Sequence, residues 1–165
     1  MKRNSAVTLR YGRPDDLHQL ADLERAAFPD DAFEIGLIEE LLTQDRATVL
    51  VAEDQGRLVG VVYLLWKRHR LNKYCRVFSL AVDPSARSKG VGLGLMKTAE
   101  QEARFRSVAR LTLEVRQTNL LAIQFYRKLG YRRTGKLRGF YPDGTDGLSF
   151  GKNLTLEDQT PGKFG

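Results

Sequence analysis

The order of elements in this sequence predicts an α/β fold, a mixed sheet with helices packed on its faces. From Thr48 to Asp83, apolar and β-branched runs follow one another through short turns. Beyond Pro84, helical periodicity alternates with strand-like runs. No repeat, low-complexity tract or Pro/Gly/Ser linker divides the chain, and 165 residues suit one domain. Residues 1–154 therefore read as a single domain and 155–165 as a polar tail.

Val7-Thr8-Leu9-Arg10-Tyr11 alternates apolar with polar residues, as a half-buried strand does. Pro14-Asp15-Asp16 then opens a helix, with acidic groups near its positive end. Leu17, Leu20, Ala21, Ala27 and Phe28 share one face, and Phe28-Pro29-Asp30-Asp31 ends the helix. A second short helix, about Glu34 to Thr43, turns Leu37, Ile38, Leu41 and Leu42 inward. Val49–Glu53, a Gln55-Gly56 turn and Leu58–Trp66 read as a hairpin, and a strand at about Arg76–Asp83 completes a meander. The second half gives a helix at about Val91–Arg106, a strand at Arg110–Arg116, a helix at Leu120–Leu129 and a strand from Tyr131. Gly147–Leu154 offers the last strand.

With 42% hydrophobic and 28% charged residues, the chain is neither disordered nor a disulfide scaffold. Cys75 stands alone, and His18 and His69 are far apart, so no metal site is expected. The longest apolar run, Leu58–Trp66, is about half the ~18–20 residues that cross a bilayer, and a cytoplasmic protein without a membrane partner is expected. The net charge of +7 attracts anions in general. Its richest cluster, Lys67-Arg68-His69-Arg70 with Lys73 and Arg76, reads as the wet end of a hairpin in preference to a nucleic-acid contact.

Leu80 to Gly92 is a strand that ends, turns and starts a helix through Gly90 and Gly92. Amide hydrogens at a helix start lack internal partners, the helix dipole adds positive charge, and glycine lets a diphosphate approach the backbone. Arg87 and Lys89 add full charges. A Rossmann fingerprint would need glycine where Leu95 stands, and a Walker A loop would need it where Met96 precedes Lys97-Thr98. The plainer alternative is a glycine turn that lets the helix pack closely on the sheet, and Gly94 in the same helix invites the same explanation.

Arg87-x-x-Gly90-x-Gly92, following Leu80-Ala81-Val82-Asp83-Pro84, resembles the acetyl-CoA signature of the GNAT (Gcn5-related) N-acetyltransferases. Leu113-Glu114-Val115-Arg116, Asn119, Ala122-Ile123, Tyr126, Leu129-Gly130-Tyr131, Phe140-Tyr141-Pro142 and Asp146-Gly147 are similar to the bacterial branch that acetylates a ribosomal-protein alanine. The resemblance implies a mixed, mostly antiparallel sheet of about seven strands with about four helices on its faces. It implies that Leu80, Ala81 and Val82 bind the pantetheine arm. Arg87, Ser88, Lys89, Gly90, Val91 and Gly92 would hold the diphosphate.

Asn119 matches a cofactor-contacting asparagine of that family, and it also suits the N-cap of the helix beginning at Leu120. The resemblance makes Glu114 the general base and Tyr126 the acid that protonates the leaving thiolate. A phenol with pKa ~10 is protonated at neutral pH and able to donate. The plainer alternatives are a core tyrosine and a strand carboxylate paired with Arg116 or another base. Tyr141 matches a substrate-side tyrosine, and Phe28–Glu34, with Phe28 and Glu34 at its ends, would line the acceptor entrance with it.

The implied reaction moves an acetyl group from acetyl-CoA to a primary amine in a ternary complex. At pH 7 deprotonation costs about 1 kcal/mol for an α-amine of pKa ~7.7–8.0, against about 4.6 kcal/mol for lysine at ~10.4. A single weak carboxylate base suits the first, so a protein or peptide N-terminus is the expected acceptor, with a ribosomal protein as the implied partner. A small amine such as a polyamine or amino sugar is the alternative within the chemistry. A non-catalytic module binding CoA or nucleic acid is the alternative outside it.

Overall fold

A computed structural model describes residues 6–155; most of the tail read at 155–165 lies outside them. Seven strands form one sheet in the order β1-β2-β3-β4-β5-β7-β6. They are β1 (Thr8–Tyr11), β2 (Ala47–Asp54), β3 (Arg57–His69), β4 (Asn72–Val82), β5 (Arg110–Arg116), β6 (Arg132–Leu137) and β7 (Gly147–Asn153). The helices are α1 (Leu17–Ala27), α2 (Ile35–Thr43), α3 (Val91–Phe105) and α4 (Leu120–Lys128). Parallel pairing of β4 with β5 among antiparallel neighbours makes the sheet mixed, as expected.

The chain divides into two compact units: residues 1–66 with 78–102, and 67–77 with 103–165. The first unit's core joins Leu20 and Leu23 of α1 and Ile38 and Leu41 of α2 to Val49, Val51, Val61 and Tyr63. Gly60 on β3 allows the close packing of α3. A Cβ there would lie 2.6 Å from Val91 Cγ1 and 2.9 Å from Leu95 Cδ1. At Gly94, by contrast, a Cβ would meet only Leu9 Cδ1 at an ordinary 3.5 Å. The close approach belongs to the strand glycine.

The second unit is built on β5. Leu111, Leu113 and Val115 are buried, and Arg110, Thr112, Glu114 and Arg116 occupy the other face. Leu148 and Phe150 of β7 pair in register with Val115 and Leu113 and are also buried.

Two boundaries differ most from the sequence reading. Pro14–Asp16 forms a 3-10 turn before α1, and Asp16 accepts from both terminal nitrogens of Arg10 at 2.8 and 2.9 Å. The β3–β4 hairpin is also longer, reaching His69 and restarting at Asn72. Charged side chains fit strands at this exposed end, where backbone pairing needs no apolar pattern.

Candidate active site

The first unit carries the anion loop. At the end of β4, Ala81 is buried and Leu80 and Val82 are half-buried. Asp83 then caps a short turn, accepting from the Ser85 N–H at 2.9 Å and its hydroxyl at 2.6 Å. Those bonds, with the Arg57 guanidinium 2.8 Å away, hold the Asp83 carboxyl below the usual range. Ser88 and Gly90 have φ of +65° and +81°, the left-handed backbone through which the chain turns into α3.

The first bond within α3 runs from Gly94 N–H to Gly90 O at 3.0 Å. The amides of Val91, Gly92 and Leu93 precede it and have no partner in the preceding turn. A diphosphate fits this donor set. The Arg87 guanidinium reaches two carbonyls, Val82 O and Ala27 O, each at 3.4 Å. Such long contacts release it easily to a stronger anion.

The second unit carries Glu114, Asn119, Tyr126 and Tyr141. Glu114 Oε2 accepts from Arg76 Nε at 3.0 Å, an ion pair made possible by the parallel register that sets Arg76 opposite Thr112. The base beside Glu114 is thus Arg76; Arg116 is engaged elsewhere. Its Nη1 meets both Asp143 oxygens at 2.9 Å and its guanidinium lies 4.2 Å from the Tyr141 ring centre. The Thr145 backbone N–H and hydroxyl, together with Arg116, hold the Asp143 carboxyl at about 2. Arg116 thereby fastens the loop that presents Tyr141.

Asn119 caps α4, its side-chain oxygen accepting from Ala122 N–H at 3.2 Å. The cap uses the oxygen and leaves the amide nitrogen to donate. Tyr126 is 8% exposed, with its ring edge-on to Phe125 and Tyr131. Burial, reinforced by the neighbouring Tyr141, pushes its pKa up, so the phenol keeps its proton at neutral pH.

The segment Phe28–Glu34 of the first unit, expected to line the acceptor entrance, is anchored by aromatic packing that its sequence does not signal. Phe33 stacks on Phe78 at 5.1 Å and meets Tyr63 edge-on at 5.7 Å. Phe28 is half-buried at the end of α1, and Glu34 is exposed as the N-cap residue of α2. Beneath them, Glu24 is 0% exposed, and among the described residues its carboxyl has no side-chain partner, only the Phe33 backbone N–H near it. Burial raises its pKa to about 7, opposed in part by the Phe33 backbone N–H. A signal for this residue was present: Glu24 falls on the stripe of Leu17, Leu20, Ala21, Ala27 and Phe28 at helical spacing.

The profile of the Acetyltransferase (GNAT) family matches residues 15–131, across both units. The chain belongs to the GNAT acetyltransferase family. It is 29% identical over 154 residues to the N-alpha-acetyltransferase of Sulfurisphaera tokodaii, covering 88% of this chain and 92% of that protein. It is 41% identical over 71 residues to the ribosomal protein bS18-alanine N-acetyltransferase of Escherichia coli, covering 43% of this chain and 47% of that one. The crystal structure of Ard1 from Thermoplasma volcanium superposes with a TM-score of 0.81 at 25% identity, over 91% of this chain and 99% of the other. This GNAT chain is an N-acetyltransferase, and acetyl-CoA is its acetyl donor.

Proposed function

We propose that this GNAT protein acetylates the α-amine of a protein or peptide N-terminus, with Glu114 as base and Tyr126 as acid. The observation that carries the proton assignments is the opposite environment of the two groups. Tyr126 is a buried phenol that keeps its proton, and Glu114 is a half-buried strand-face carboxyl ion-paired with Arg76. The N-alpha-acetyltransferase relative supports the acceptor, as does the smaller cost of deprotonating an α-amine.

In this reading the main-chain N–H groups of residues 87–92, with Arg87 and Lys89, hold the diphosphate of acetyl-CoA. Leu80, Ala81 and Val82 hold its pantetheine arm through backbone groups, and the free amide nitrogen of Asn119 contributes a donor. Glu114, directly or through water, takes a proton as the amine nitrogen bonds to the thioester carbon. The carbon–sulfur bond then breaks and Tyr126 gives its proton to the departing thiolate. Tyr141, Phe28 and Glu34 receive the acceptor. The buried Cys75 thiol fits a reducing compartment, and we place the protein in the cytoplasm.

The test incubates the full chain with acetyl-CoA and three acceptor panels: peptides with free N-termini, including that of ribosomal protein bS18; N-terminally blocked lysine peptides; and polyamines with amino sugars. Acetylation of free N-termini at least about tenfold faster than of the other panels is expected. Preference for the small amines overturns the acceptor, and preference for the bS18 peptide names the ribosomal partner.

A further inference from the structure

The net charge of the chain conceals a division. Among the described residues, the second unit holds sixteen Lys and Arg against three Asp and Glu, an excess of thirteen positive charges. The first holds eight against fifteen, an excess of seven negative charges. All three carboxylates of the second unit are already paired: Glu114 with Arg76, Asp143 with Arg116, and Asp146 with Lys136 at 3.4 Å. Lys67, Arg68, Arg70, Lys73, Arg132 and Arg133 are exposed and make no ion pair with a described residue. Like charges crowded on one small body repel, and a polyanion relieves that repulsion.

An open cavity of about 490 Å³ lies in the same unit, at the start of β4 and β5. Lys73 and Arg110 line it, together with Asn72, Asn153, Tyr74 and Thr112. Arg110 is fixed there by a 2.7 Å bond from its Nη1 to Asn153 Oδ1. The volume falls in the range of sites for small organic groups, about 300–1,000 Å³. Its lining combines two cations for phosphate, amides that match a base edge, and a half-buried phenol ring that offers a stacking surface.

We propose that the second unit binds a single-stranded nucleic acid, with one nucleotide seated in this cavity and flanking phosphates on the exposed cations of the same unit. The cationic excess supplies the sequence-independent attraction. An acidic protein segment would use Lys73 and Arg110 but give no role to Asn72, Asn153 and Tyr74. A duplex would present phosphates alone, its bases being stacked away from the cavity. Phe105, 84% exposed, is a further exposed ring of the same unit.

The experiment measures fluorescence anisotropy of labelled single-stranded RNA and DNA oligonucleotides of one sequence, about 12 nucleotides long, and of a polyglutamate peptide, with the full chain. Binding of an oligonucleotide that weakens at least about tenfold between about 50 and 200 mM salt is expected. The Lys73→Glu/Arg110→Gln chain should lose about tenfold or more in affinity, and Tyr74→Ala about fivefold, while acetyl-CoA affinity and thermal midpoint stay at wild-type values. The RNA and DNA arms identify the preferred sugar. No oligonucleotide binding at 50 mM salt overturns the proposal. Polyglutamate binding as tight as RNA assigns the surface to an acidic protein instead. Cavity variants that fold and bind RNA like wild type remove the nucleotide seat.

Discussion

The two units treat charge in opposite ways. The loop suited to a diphosphate lies in the acidic unit, and the side chains proposed for proton transfer lie in the strongly basic one. Charges beyond about 8 Å are largely screened at physiological salt. A handful of aimed N–H groups with Arg87 and Lys89 therefore outweighs a net excess of carboxylates. The same contrast holds for single carboxyls. Glu114 is ion-paired on a strand face, whereas Glu24 sits buried in a helix stripe with no ion-pair partner among the described residues. The first arrangement suits chemistry; the second costs stability.

If that division is sound, changes in the second unit alter turnover and changes in the first alter folding. The largest expected effect is on catalysis: Glu114→Gln and Tyr126→Phe should each lower turnover by roughly 10²–10⁴. Acetyl-CoA affinity, measured by calorimetry, should stay the same. Wild-type turnover in either variant breaks the assignment of that residue.

The next effect belongs to Glu24. Its pKa is about 7 in the fold against an ordinary 4.5, so the fold prefers the protonated form. The associated stability is fully present below about pH 4.5 and is lost as pH rises through about 7, a difference of roughly 3 kcal/mol. Urea melts at pH 5 and pH 8 should show wild type losing most of this, with Glu24→Gln nearly flat and the more stable of the two at pH 8. An unchanged slope in the variant would show that another group is responsible.

Smaller again is Gly60→Ala, whose methyl would press on Val91 and Leu95. A loss of about 1–3 kcal/mol in chemical denaturation is expected. Unaltered stability would mean that α3 yields without cost. The smallest effect is Arg116→Ala, which removes a cation–ring contact worth about 0.5–1 kcal/mol and loosens the Tyr141 loop. Acceptor KM should rise about two- to fivefold with little change in kcat, and a kcat loss without a KM change would place Arg116 in the chemistry.

Much of the fold was legible because its signals are local. The alternation of Arg110–Arg116 appears as β5 with the same bounds, and the helix read from Leu120 ends at Lys128, one residue before the expected stop. The hairpin end at His69 and Asn72 was read too short because its charged residues carry no apolar pattern. Arg76 could not be joined to Glu114 without knowing the β4–β5 register, and the Phe33–Phe78 stack joins residues separated by two strands and a helix. Glu24 was missed although its position was visible, since a charged residue among apolar ones ordinarily reads as the edge of a stripe.

The sequence by itself determined the element order, the Arg87–Gly92 turn with its left-handed glycine, and the chemical types available for the proposed acid and base. Each depends on residues within a turn or two of one another, where backbone geometry leaves few alternatives. Tertiary structure alone decided which base pairs with Glu114, which carboxyl is buried without a countercharge, and how the charges divide into an acidic and a basic unit. Those depend on strand register and on folding residues 67–77 together with 103–155. Pairing brings distant residues within ångströms, and no periodicity along the chain encodes that neighbourhood.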